Sequence, residues 1–109
     1  MKLQFSKLPV TFLEHFYGGE GALQANMHVD AYNKILYGRL VPGATIGYHQ
    51  HETSSEIIYI LSGTGKTVTD GVEETLTAGD CHYCEKGHFH SLANAGEDDL
   101  IFFAVVPQQ

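Results

Sequence analysis

The apolar positions of this chain fall in short runs, each closed by turn residues. Residues 34–41, KILYGRLV, form one run, ended by Pro42-Gly43. Residues 45–51 form the next, and residues 56–61, EIIYIL, follow until Ser62-Gly63-Thr64-Gly65 stops them. Residues 66–69 alternate and lead into Asp70-Gly71, a hairpin turn of the primed kind, from which residues 72–76 return. Residues 81–84 and 89–93 read as strands on either side of Glu85-Lys86-Gly87, and residues 100–106 make a closing apolar strand before Pro107. Strands of about four to eight residues, evenly spaced between turn residues, predict an all-β fold. Antiparallel hairpins of this length shelter their edges by rolling into a double-sheet jelly roll, here a small β-barrel. Ile58, Ile60, Leu92 and either Phe102 or Phe103 are its expected walls.

The first 30 residues leave two readings open. Phe12, Leu13, Phe16 and Tyr17 sit at i, i+1, i+4 and i+5, a spacing that suits one or two turns of helix opened by Pro9 and Thr11. The alternative is an arm or a pair of edge strands covering the sheet, with residues 24–29 as a short strand. Gly18-Gly19-Glu20-Gly21 has neither the preceding strand nor the following Gly-Lys-Ser of a phosphate loop, and reads as a turn. At 109 residues the chain suits one domain, 1–109, with its core over 34–106.

Charge narrows the partners. Six basic residues against thirteen acidic ones leave a net charge of −7, which repels a phosphate backbone, so nucleic acid is not an expected partner. No apolar run approaches the roughly 20 residues that span a bilayer, so no membrane partner is expected either. The first residues contain no apolar signal core, and the expected location is cytoplasmic. Cys81 and Cys84 form C-x-x-C, but on a strand a spacing of three points them to opposite faces, which predicts two reduced, packed thiols.

Candidate chemistry centres on residues 43–63. On a strand, side chains at i and i+2 share a face about 7 Å apart, so His49 and His51 aim two imidazoles into one volume. If the run opened by Glu56 pairs antiparallel with that strand, its carboxylate joins them. H-x-H alone is weak, because half-buried strands often carry histidine. A second segment, residues 79–94, adds His82, His88 and His90. A third imidazole from there completes three nitrogens and one carboxylate, leaving coordination positions for water or substrate. Such a set suits one divalent transition metal: Mn, Fe, Ni, Co or Zn. His88 either lines the pocket or caps its turn, and His82 lies either at the surface or behind the ligands. His15 and His28 fall outside both segments. Tyr37 and Arg39 share a strand face; pointing inward, Arg39 could hold an anionic substrate group, and pointing outward it is surface.

Together the two segments resemble the cupin superfamily. Gly43, His49, His51, Glu56 and Gly63 match its first motif without a gap; Gly79, Gly87, His90 and Asn94 match the second, with Glu85 where the family has proline. The resemblance implies a metal inside the barrel on His49, His51, Glu56 and His90. It also implies a homodimer, often with the N-terminal segment crossing to its partner. The implied function is a metal-dependent enzyme acting on a small oxygen-rich metabolite, a carboxylic acid or sugar derivative, as isomerase, dioxygenase, decarboxylase or lyase. Tyr37, Arg39 and His88 are then candidate acid/base or anchoring groups. The alternative is a non-catalytic module that binds or senses a small molecule.

Overall fold

The computed structural model describes residues 1–109. It contains ten strands: β1 (Val10–Glu14), β2 (Ala22–Val29), β3 (Asn33–Leu40), β4 (Thr45–Gln50), β5 (Glu56–Ser62), β6 (Thr64–Thr69), β7 (Val72–Thr77), β8 (Cys81–Cys84), β9 (Phe89–Asn94) and β10 (Leu100–Pro107). Strands make up 61% of the chain and short 3-10 turns at Phe5–Lys7 and Phe16–Gly18 are its only helix, which makes the fold all-β. One sheet has the order β1-β2-β3-β10-β5-β8 and the other β4-β9-β6-β7, with every pairing antiparallel.

The core lies between the inner faces of the two sheets. From the larger sheet come Leu36 and Leu40 of β3, Ile58 and Ile60 of β5, and Leu100, Phe102 and Ala104 of β10; Ile46, Leu76 and Leu92 face them from the smaller one. Ile58, Ile60, Leu92 and Phe102 are at most 1% exposed, and each such side chain contributes about 1.5–3 kcal/mol relative to exposure. Phe102, rather than Phe103, is the inward phenylalanine. Its ring lies over Gly38, where an added Cβ would sit 2.4 Å from it. Phe103 faces out and packs edge-on against Phe5, ring centroids 6.1 Å apart.

The structure takes the edge-strand reading of the N-terminus and corrects the pairing considered for Glu56. Residues 10–14 are not helical: Val10, Thr11 and Phe12 favour extended backbone, and β2 offers a free edge with Val10 opposite Asn26 and Glu14 opposite Ala22. Sheet pairing therefore prevails over an apolar spacing that also suited a helix. β4 and β5 are not paired with each other either. β4 pairs with β9, while β5 lies in the other sheet between β10 and β8, so Glu56 reaches the histidines across the barrel rather than along a hairpin.

Candidate metal centre

The site begins with an irregularity in β4. In its ladder with β9, Ile46 is opposite Leu92 and His49 opposite His90, so Gly47 and Tyr48 together face the single residue Ser91. This bulge at Gly47-Tyr48 reverses the side-chain alternation. Ile46 can then face the core while His49 and His51 also turn inward; in an unbroken strand, Ile46 and the histidines would point to opposite faces. Gly47 is needed for a second reason: an added Cβ would lie 1.9 Å from the Tyr17 carbonyl oxygen. The N-terminal segment thus lies directly on the bulge. There His15 (φ 48°) and Tyr17 (φ 53°) adopt left-handed backbone, and the Tyr17 ring stacks on His49, 3.8 Å between centroids and 8° from parallel.

Each histidine has one ring nitrogen occupied and the other free. His49 Nδ1–H donates to the Gly47 carbonyl at 2.7 Å. A carbonyl only accepts, so neutral His49 carries its proton on Nδ1 and a lone pair on Nε2. His51 Nδ1 lies 2.8 Å from Ser54 Oγ, and His90 Nδ1 lies 3.0 Å from His82 Nε2. The three Nε2 atoms converge: His51 Nε2 is 3.3 Å from that of His49 and 2.9 Å from that of His90. Glu56 Oε1 joins them, 3.2 Å from His51 Nε2 and 3.0 Å from His90 Nε2. All four donor atoms lie within 4.8 Å of one another, and His51, Glu56 and His90 are buried. Imidazole lone pairs aimed at one point are matched by a cation, and three nitrogens with one carboxylate oxygen can hold a metal ion.

The electrostatics fit that arrangement. Burial pushes the Glu56 carboxyl upward, but His51 and His90, whose Nε2 atoms can donate to it when no cation is bound, outweigh it and hold the group at about 2, ionised and ready to face a cation in place of those protons. Burial lowers His49, aided by the neighbouring imidazoles, which keeps it neutral. His82 is driven to about 4 by burial and by His90, so it is a neutral hydrogen-bond partner.

A cavity of about 290 Å³ opens onto His49, His51 and Glu56. Buried Leu23, Leu36, Ile46 and Phe102 form its depth, and exposed Gln50, Glu52, Thr53 and Gln108 its solvent side. Tyr17, Lys34 and Glu52 are the remaining ionisable groups that line it.

Other candidates lie elsewhere. Tyr37 and Arg39 alternate with inward Leu36, Gly38 and Leu40, so they face out; Tyr37 stacks on Phe5 and Arg39 meets Asp99 at 3.7 Å. His88 is exposed and pairs with Asp70, tying the β6–β7 turn to the start of β9. None of these three lines the 290 Å³ cavity. His82 is buried behind His90, not at the surface. Of the cysteines only Cys84 is packed; Cys81 is exposed, and both are free thiols. Asn94 is structural: its Nδ2 donates to the Leu40 and Asp98 carbonyls, both at 2.8 Å. The sequence reading missed Tyr17, Lys34 and Ser54, of which only Lys34 carried a signal, its shared alternation with Leu36; for His82 the structure takes the second of the two positions left open, behind His90.

The family model described as "Cupin domain" matches residues 36–106. The chain is a cupin. It is also 33% identical over 112 residues to the oxalate-binding protein of Thermotoga maritima, covering 97% of this chain and 93% of that one. Among solved structures, one described as a predicted oxalate decarboxylase from Thermotoga maritima superposes with a TM-score of 0.93 at 29% identity, over 100% of both chains. The cupin domain of Schizosaccharomyces pombe Cnp3 superposes at 0.82 with 9% identity, over 100% of this chain and 74% of that one, a likeness of fold alone. No helix is long and apolar enough to cross a membrane.

Proposed function

We propose that this cupin holds one divalent transition metal on His49, His51, Glu56 and His90 and acts as an enzyme on a small carboxylate. The convergence of three imidazole Nε2 atoms and Glu56 Oε1 within 4.8 Å carries the reading. A metal held by these four donors would keep positions for further ligands, and the cavity that opens onto His49, His51 and Glu56 is where such ligands could enter. A bound metal would supply Lewis-acid polarisation of a substrate oxygen or activation of water there. Three neutral imidazoles and one carboxylate leave net positive charge at the centre, which favours anionic oxygen ligands. Tyr17 stacks on His49 and shields one side of the site, while Glu52 is the carboxylate on the solvent side able to take or give a proton. The name of the Thermotoga maritima relative favours a second reading, a carboxylate-binding module without turnover.

The test is metal-loaded protein incubated with oxalate and a panel of small carboxylic acids and sugar derivatives, followed by calorimetry, oxygen uptake and product analysis. Turnover of any compound supports the enzyme. Binding with quantitative return of the compound supports the module, and neither binding nor turnover across the panel overturns both.

A homodimer belongs to the same proposal. The outward face of β10, β5 and β8 leaves Ile57, Tyr59, Leu61 and Tyr83 exposed beside Phe103 and Val105. The outward positions of these strands include no carboxylate although the chain has thirteen acidic residues, so two copies can meet there without like-charge repulsion.

A further inference from the structure

The cavity is larger and more apolar than a two-carbon dianion requires. Even counted as six separate waters, oxalate would occupy only about 180 Å³, against about 290 Å³ here. Leu23, Met27, Leu36 and Phe102 on the cavity lining offer no donor to a second carboxylate. Lys34 is the one lysine or arginine on the lining. It follows the alternation of Leu36, Gly38 and Leu40, so its stem faces inward, and it is half-buried at the β3 end of the barrel. Arg39 and Lys66 have carboxylate partners, Asp99 and Glu73; Lys34, like Lys2, Lys7 and Lys86, has none, but it alone of these lines the cavity. Lys34 shares the lining with Glu52 and Glu56 but pairs with neither, so its ammonium, carried on a stem along the apolar wall, is free to meet an anionic ligand.

We propose that the ligand is an aliphatic dicarboxylate longer than oxalate, with one carboxylate at the His49–His51–Glu56–His90 centre, its carbon chain along Leu36 and Phe102, and its second carboxylate on Lys34. This rests on the proposed metal centre and adds the class of ligand. Monoanions gain the apolar wall but not Lys34, and oxalate has no carbon chain to lay along the wall.

Calorimetry on Mn(II)-loaded full-length protein tests it, with oxalate, malonate, glutarate and adipate against pentanoate and hexanoate. Glutarate or adipate should bind about tenfold or more tighter than both oxalate and the monoanion of equal length. Lys34→Met should bring the dicarboxylate to within about twofold of the monoanion at unchanged metal content, and Lys34→Arg should keep most of the preference. Oxalate binding tightest, or a preference that survives Lys34→Met, overturns the inference while leaving the metal centre intact. The chain-length series on unaltered protein decides the matter if the variants do not fold. Where Mn(II) is not taken up, the series is run with whichever of Fe, Co, Ni or Zn the protein binds; failure to take up any of them removes the centre and this inference with it.

Discussion

His82 Nε2 lies 3.0 Å from His90 Nδ1, with the two rings 14° from parallel. With the Nε2 lone pair of His90 directed at the centre, its proton sits on Nδ1 and is donated to His82, which fixes both the tautomer and the plane of His90. His82 comes from β8, in the sheet opposite β9, so the contact also ties the two sheets together behind the site. His82→Ala should lower metal affinity by about 10–100-fold, measured by competition with a chelator. His82→Gln, whose amide oxygen can accept the same proton, should recover part of it. Equal affinity in His82→Ala and the unaltered protein would remove this role.

The left-handed Tyr17 and the bulge at Gly47 depend on each other. Gly47→Ala places a methyl 1.9 Å from the Tyr17 carbonyl oxygen, so the N-terminal segment must lift. The expected cost is about 1–3 kcal/mol, read from urea unfolding, together with loss of the Tyr17–His49 stack, read from the His49 ring shifts in NMR. A variant with unchanged stability and shifts would show that the segment does not rest on β4.

Asp70 accepts hydrogen bonds from His88 Nδ1 and, at 3.1 Å, from the Phe89 amide, and these hold its carboxyl below the usual value of 3.8. A depressed carboxyl stabilises the fold above its unfolded value, and that contribution is lost as pH falls through the folded one. Asp70 has φ 48°, which asparagine tolerates, so Asp70→Asn isolates the charge. Its melting temperature should fall below that of the unaltered protein at pH 5, and the gap should close as pH drops under 3.8. A gap that is constant down to pH 3 would contradict the assignment.

The exposed β10–β5–β8 face predicts a mass in solution of twice the 12.0 kDa of one chain. Tyr59→Asp places a charge in the middle of that face and should yield the single-chain mass by light scattering, with metal content unchanged. A monomeric unaltered protein, or a dimer that tolerates Tyr59→Asp, would place the interface elsewhere.

Most of the strand sequence was legible because Gly and Asx turns punctuate clear apolar runs; spacing brought His49 and His51 together, but only the likeness to the two cupin motifs singled out Glu56 and His90 beside them. Which strands become neighbours was not legible. Glu56 follows His51 by five residues, and a local hairpin is the natural inference; the jelly roll instead sends the two segments to opposite sheets. The faces of β3 stayed open because KILYGRLV is apolar on both sides, so nothing in it tells Tyr37 and Arg39 from Leu36 and Leu40; the structure takes the outward reading of Arg39. His88 and His90 share strand parity, yet His88 precedes β9, where the turn still directs it to solvent and Asp70. The bulge at Gly47-Tyr48 cannot be read from spacing, since H-x-H looks the same on either face.

Elemental analysis of untagged protein, beside His51→Ala and Glu56→Gln, tests the four-residue centre most directly. The unaltered chain should hold about one divalent transition metal ion, and His51→Ala should lose most of it while keeping its β-sheet circular dichroism. Glu56→Gln should weaken binding less, because an amide oxygen remains while its charge does not. An unaltered protein that takes up no metal when supplied with Mn, Fe, Co, Ni or Zn, or a folded His51→Ala variant with full metal content, would contradict the account.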